Sequence, residues 1–241
     1  LTPNNRQTLL FSATMPIAIR ELAELFLKDP ASVTVSPVSS TAEKVEQRIY
    51  FVDKTEKRNL LYHLIRNEKL SDVLVFSRTK HGADNVVKAL RKHGVAAEAI
   101  HGDKSQSARQ RVLDAFKNKE VGVLVATDIA ARGIDIDLLP FVINFDLPNI
   151  PETYVHRIGR TGRAGSSGVA ISFCSKDEAP YWKDIQKLIK VDVQVITDHP
   201  YPWHEGSPIE ETAPPQNSNR SGGAHKSRKS TQSKQNKKRW Y

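Results

Sequence analysis

Cysteine and methionine are almost absent from the chain, with one of each, Cys174 and Met15, among 241 residues. A lone thiol excludes an internal disulfide framework. No signal-peptide pattern of basic residues, apolar run and small-residue cleavage site opens the sequence, so a reducing cytoplasmic setting is expected. Apolar runs such as 121–126 and 138–145 fall far short of the roughly 20 residues that span a bilayer, so no membrane span is expected. The eight histidines show no metal-ligand spacing, and no metal site is expected within the chain. No Gly-Lys pair occurs anywhere, which removes any G-x-x-x-x-G-K-S/T loop for cradling phosphates. The first residue is Leu1 and the one methionine is internal, so the sequence reads as a fragment.

Acidic residues are missing from one end. From Asn217 to Tyr241 there are eight Lys or Arg and no Asp or Glu, so eight of the nine net positive charges sit there. A polyanion such as nucleic acid is the first partner to consider, with a merely solubilising end as the other reading.

Runs of strand length alternate with segments of helical period, the signature of βα units around a parallel sheet. Residues 7–11 and 31–35 read as strands around a helix over 16–27, opened by Pro16 at a first helical turn. The Ser-rich, aperiodic stretch near 37–44 reads as a linker, leaving residues 1–36 as the remnant of a preceding domain. A second unit, 45–196, has predicted strands at 46–52, 73–76, 96–100, 121–126, 141–145 and 168–173. Helices are predicted at 56–66, 80–93, 106–117, 151–157 and 178–189. Runs such as V-L-V-F and F-V-I-N-F, apolar at nearly every position, predict strands buried on both faces of a three-layer α/β sandwich. From 197 onward the composition is that of a disordered basic tail.

Three segments carry chemistry. In 156–165 three arginines and four small residues follow a predicted helix. Guanidinium groups fork onto phosphate oxygens and glycines admit close approach, so this density argues against core packing. From spacing alone a phosphate-holding site and the plainer reading, a bulk nucleic-acid contact or a solvated corner, stand equal. In 125–135 a buried strand ends in Thr127, Asp128 and then Arg132-Gly133-x-Asp135, at the strand carboxyl end where open α/β sheets bind ligands. A helix cap at Thr127 or Asp128 is the plainer alternative. In 101–109 a strand end, Gly102 and a helix start bring Gln106 and Arg109 to one face beside backbone amides, a seat for phosphate unless Ser105 simply caps the helix.

Taken together and in order, these segments resemble DEAD-box RNA helicases. The stretch from Ser12 to about Phe173 is similar to the end of the first RecA-like domain and nearly all of the second. Ser12-Ala13-Thr14 matches motif III, 75–79 motif IV, Gln106 with Arg109 the QxxR motif, 127–135 motif V and 156–163 motif VI. The Lys-rich tail is similar to that of RhlE-type proteins. The resemblance implies a RecA-like fold and ATP hydrolysis coupled to local unwinding of RNA. It implies that Arg160 and Arg163 reach the γ-phosphate of an ATP held with Mg2+ by the absent first domain, with Asp135 and Gly133 on the nucleotide. It places RNA backbone contacts on Thr79, Gly102, Gln106, Arg109 and Thr127. Ser12 and Thr14 would link hydrolysis to unwinding, and Arg132 and His156 would serve the closed interface between domains. Ribosome assembly and RNA decay both stay open as settings.

The family's Asp-Glu-Ala-Asp tetrad is missing. Asp177-Glu178-Ala179-Pro180 imitates it but follows Ser175-Lys176 instead of an apolar strand, so Asp177 is read as a helix cap. Trp182 is read as helix packing. Trp203, Trp240 and Tyr241, in polar surroundings, are candidates for stacking on bases or for no role. Two rival functions remain at this point, a non-catalytic RNA-binding module and a related motor acting on DNA.

Overall fold

Strands apolar at every position need cover on both sides, and a computed structural model shows how the chain supplies it. It describes residues 3, 5–12, 14–34, 45–132, 136, 139–162 and 168–203. After an isolated helix α1 (Ile17–Phe26), the described elements are β1 (Glu46–Phe51), α2 (Lys57–Asn67), β2 (Val73–Phe76), α3 (Lys80–Lys92), β3 (Ala97–Ile100), α4 (Gln106–Lys117), β4 (Val123–Ala126), α5 (Asp128–Ala131), β5 (Phe141–Asn144), α6 (Pro151–Ile158), β6 (Val169–Cys174), α7 (Ala179–Ile189) and β7 (Gln194–Ile196).

Among the described residues these strands form one sheet in the order β3-β4-β2-β5-β6-β1-β7, every adjacent pair parallel. The period of two sorts its side chains. Val73 and Val75 of β2, with Val123 and Val125 of β4, join Leu60, Leu64, Val86 and Leu90 from α2 and α3. Leu74, Phe76, Leu124 and Ala126 face the other way, onto Phe116 of α4 and Ala130 and Ala131 of α5. On that second side Tyr154 and Ile158 of α6 and Trp182, Ile185 and Ile189 of α7 cover β1 and β6. The sandwich therefore has three layers. The chain winds toward β3 with α2 and α3 on one face, then reverses with the later helices on the other, as right-handed crossovers require.

All six strands predicted within 45–196 are present, to within two residues at their ends. The edge strand β7 is the one that pattern reading misses. It is three residues long and mostly exposed, so it carries no apolar run. The strands predicted at 7–11 and 31–35 do not form in the described residues there. A ladder needs a neighbour, and no described residue pairs with these segments. Leu9, Phe11, Ile17, Leu25 and Val33 are exposed, and α1 buries none of its residues.

The tail boundary at 197 needs correction. Residues 197–203 pack back on the fold: the Trp203 amide donates to the Phe51 carbonyl at 3.2 Å, and its ring lies 6.1 Å from that of Phe51. His199 meets Tyr50 edge-on at 5.4 Å, and Tyr201 meets His63. Aromatic rings hidden in a polar stretch supply apolar area that composition alone undercounts.

Candidate functional site

In a parallel sheet every strand delivers its following loop to the same edge, so the residues after β2, β3, β4 and β5 share one rim. Ser77, Arg78 and Thr79 follow β2. Thr79 caps α3, accepting from the Gly82 amide at 2.9 Å, and the side chain stays exposed. Gly102 follows β3 and is exposed; a methyl group placed there would meet nothing within 4 Å. Ser105 does cap α4, accepting from the Ala108 amide at 3.2 Å. That cap leaves Gln106 and Arg109 outside it, and the Arg109 guanidinium donates to Gln106 Oε1 at 3.3 Å and to the Ala130 carbonyl at 3.4 Å. The QxxR pair is thereby joined to α5, the turn that follows β4.

Thr127 stands at the cap position of α5 but makes no cap bond with its hydroxyl. The capping alternative for Thr127 therefore fails, and Asp128 is committed elsewhere. Both its oxygens accept from Arg157, from Nε at 2.6 Å and from Nη2 at 2.8 Å. Arg157 also donates to Asn144 Oδ1 at 3.1 Å and to the Asp146 carbonyl at 2.6 Å, and its guanidinium lies 5.0 Å from the Phe76 ring centre. Only 2% of this arginine is exposed. This corrects the expectation that the arginine density of 156–163 is not core packing. Arg157 shares the inward face of α6 with Tyr154 and Ile158, so helical period assigns it to the interior while Arg160 falls beyond the last turn. Removing such a guanidinium would leave a paired carboxylate and two acceptors unmatched, a loss of order 3 kcal/mol.

His156 and Arg160 flank the same cleft as Asp128, Arg132 and Arg157. Burial, with Arg132 and Arg160 adding like charge, lowers the His156 pKa below its ordinary value and favours neutral imidazole. Behind Arg160 the chain is clamped. Leu139 donates its amide to the Arg160 carbonyl at 3.2 Å, and the buried Thr161 hydroxyl donates to the Leu139 carbonyl. Gly168 closes over this turn so tightly that an added Cβ would collide with the Thr161 side chain and lie 2.5 Å from the Gly162 nitrogen.

The predicted site residues divide into three groups. Thr79, Gly102, Gln106, Arg109, Thr127, Arg132, His156 and Arg160 lie on or beside the rim just described. Ser12 and Thr14 lie ahead of α1; the Ser12 hydroxyl donates to the Thr14 carbonyl, and no hydrogen bond among the described residues joins either to the rim. Gly133, Asp135 and Arg163 lie outside the described residues. Sequence reasoning missed Arg157, Asp146 and Glu178. It also misassigned Asp177, which ion-pairs with Lys54 at 3.1 Å and accepts from Ser175 Oγ at 2.6 Å, while Ser175 caps the short 3-10 turn Lys176–Glu178 that leads into α7. Glu178, three residues after Ser175, completes a capping box and is buried.

Residues 56–165 match the model of the helicase conserved C-terminal domain. Over 188 residues the chain is 46% identical to the DEAD-box ATP-dependent RNA helicase CshA of Geobacillus kaustophilus, covering 78% of this chain and 40% of that protein. A solved structure of the E. coli DEAD-box protein SrmB bound to regulator of ribonuclease activity A is 32% identical, with a TM-score of 0.63; the match covers 68% of this chain and 98% of that one. The chain belongs to the DEAD-box helicase family. S. cerevisiae Dbp5, solved bound to RNA and ADP BeF3, matches this DEAD-box chain with a TM-score of 0.73 and 31% identity, over 80% of this chain and 52% of that one. The chain spans about two-fifths of the length of the curated relatives it matches. Those relatives carry the name CshA, not the RhlE type suggested by the tail. No helix among the described residues is long and apolar enough to cross a membrane. Among the described residues of this DEAD-box domain, no three or more His, Cys, Asp or Glu come together in a group that could hold a metal ion.

Proposed function

We propose that the chain is the C-terminal motor half of an ATP-dependent RNA helicase that couples ATP hydrolysis to local RNA duplex unwinding. One observation carries this reading. Parallel topology sets Thr79, Gly102, the Gln106–Arg109 pair and Thr127 along one rim, and α6 and the turn after it carry His156 and Arg160 beside it.

In the proposal the two groups divide the work. Thr79, Gly102, Gln106, Arg109 and Thr127 contact RNA phosphates and 2′-hydroxyls, which binds RNA without reading its sequence. Arg160 and Arg163 reach the γ-phosphate of an ATP held by the preceding domain, and Gly133 and Asp135 contact the nucleotide. Phosphoryl transfer is largely positioning and charge stabilisation, so a finger arginine contributes about 10³ to 10⁵ in rate. Arg132 and His156 line the closed interface, and Ser12 and Thr14 belong to the coupling segment. Mg2+ supplies charge neutralisation on the phosphates, and its ligands are assigned to the preceding domain together with the P-loop. A cytoplasmic setting and a subfamily nearer CshA than RhlE complete the reading, with ribosome-assembly or RNA-decay complexes as the partners to seek.

The test joins this chain in frame to the P-loop domain of a CshA relative and measures RNA-stimulated ATP hydrolysis. Arg160→Ala and Arg163→Lys should each lower kcat by about 10³-fold or more, because neither replacement restores a planar fork. Unchanged turnover in both would overturn the proposal. Equal stimulation by RNA and DNA would instead point to a motor without preference for RNA.

A further inference from the structure

The false tetrad at 177–180 conceals a buried ionic hub. Glu178 and Lys57 are each about 2% exposed, yet both side chains end in ionisable groups. Glu178 accepts five hydrogen bonds. Its Oε2 takes Lys57 Nζ at 2.5 Å, the Ser175 hydroxyl at 3.0 Å and the Ser175 amide at 3.2 Å. Its Oε1 takes Arg78 Nη2 at 2.9 Å and the Leu147 amide at 3.1 Å. Lys57 also donates to the Phe145 carbonyl at 2.8 Å and lies 3.5 Å from Asp146 Oδ1. Asp146 in turn accepts from the Ser77 hydroxyl at 3.0 Å and from the Arg78 amide at 2.9 Å through Oδ2.

Three loops that follow three strands are thus tied at one point: Ser77–Thr79 after β2, Asp146–Leu147 after β5, and Ser175–Glu178 after β6. The first of them is held along its length. Ser77 is fixed by its hydroxyl, and Arg78 by its amide and by a guanidinium that also reaches the Leu147 carbonyl at 2.9 Å and lies 5.3 Å from the Tyr181 ring centre. Thr79 is fixed by the Gly82 amide, at a glycine whose Cβ would lie 2.6 Å from Ser77 Oγ and 2.9 Å from Thr79 Oγ1. A buried ion pair is a poor device for stability, because well-packed apolar side chains of similar volume usually serve as well or better. It is a good device for direction, since each bond fixes an angle as well as a distance.

We infer that Glu178 and Lys57 are positioning residues for RNA: through Arg78 and Asp146 they hold the Ser77–Thr79 loop in the conformation that binds the RNA backbone, without touching RNA or nucleotide. The inference rests on the proposed RNA role of Thr79. Toward Arg157 the link is narrow: among the described residues one hydrogen bond joins it to the hub, at the Asp146 carbonyl, while its two bonds to Asp128 and one to Asn144 lie outside the hub.

The experiment uses the same two-domain enzyme with an oligouridylate as RNA and with Lys57→Met, Glu178→Gln and Thr79→Ala variants, all assayed where urea titration shows them folded. For Lys57→Met and Glu178→Gln, the KM for RNA should rise on the order of tenfold, as expected for a loop no longer held to a fraction of an ångström. At saturating RNA, kcat and the KM for ATP should stay within about twofold, a split that simple destabilisation would not produce. If both hub variants keep the parent KM for RNA while Thr79→Ala raises it, the positioning role is overturned and the RNA assignment of Thr79 stands. If Thr79→Ala also leaves RNA binding intact, that assignment fails and the hub inference falls with it.

Discussion

A glycine needed by the fold and a glycine needed by a ligand differ in what surrounds them, and the proposed function makes Gly102 one of the second kind. Its φ is not in the left-handed region, and a methyl group there meets no atom of the protein within 4 Å. Gly102→Ala should therefore leave the urea midpoint unchanged while weakening RNA binding severalfold by obstructing the backbone's approach. Equilibrium unfolding and RNA anisotropy on the same sample separate the two effects. His156 offers a residue-scale test of charge. Its pKa in the folded protein lies below the ordinary 6.5, so between the two values the unfolded chain binds the extra proton. Stability from this group is complete above about pH 6.5 and is lost as pH falls through the folded value. His199, lowered chiefly by burial, adds in the same direction. His156→Gln should reduce the fall in urea midpoint between about pH 7 and pH 5.5, in proportion to its share of the two histidines.

At the scale of elements, the sheet was legible wherever burial on both faces forced an apolar run. β2 and β4 show it best, since all four residues of each are buried and each alternates between the two layers. β7 and the packed stretch 197–203 were not legible, because one is an exposed edge and the other hides its rings among two prolines, a threonine and an aspartate. The rim residues were legible as motifs, but Arg157 looked the same as Arg160 in the sequence. Only the inward phase of α6 separates a buried anchor from a ligand-facing group. Glu178 was masked by the likeness of 177–180 to a catalytic tetrad. Elements also bear on one another across the sheet edge. Gly168, ahead of β6, lies against the Thr161–Gly162 turn that follows Arg160, and the nearest atoms to its missing Cβ include backbone that cannot swing aside. Gly168→Ala should cost about 1 to 3 kcal/mol of stability by overpacking. It should also lower RNA-stimulated ATP hydrolysis by shifting Arg160. A variant with unchanged turnover would show that the turn relaxes without moving the guanidinium.

The whole molecule has two kinds of unsatisfied surface, and they ask for different partners. The first is apolar. Leu9, Phe11, Ile17, Leu25 and Val33 are exposed around α1, and by its spacing this helix has one face meant for burial. A preceding domain would cover that face, in keeping with a chain that spans about two-fifths of its curated relatives. The second is electrostatic. Nearly all the net charge belongs to residues 217–241, so under the proposed function the rim and the tail would contribute to RNA binding by different physics: directed hydrogen bonds in one case, release of condensed counterions in the other. These separate in a salt titration. Deleting 217–241 should weaken RNA binding and flatten the plot of log affinity against log salt, by up to about 0.7 for each single-strand phosphate that the tail no longer neutralises. Gly102→Ala should lower affinity at every salt concentration with the slope preserved, because it removes no charge. Parallel lines for the tail deletion and the parent chain would mean that the eight tail cations stay with their own counterions, and that RNA is held by the rim alone.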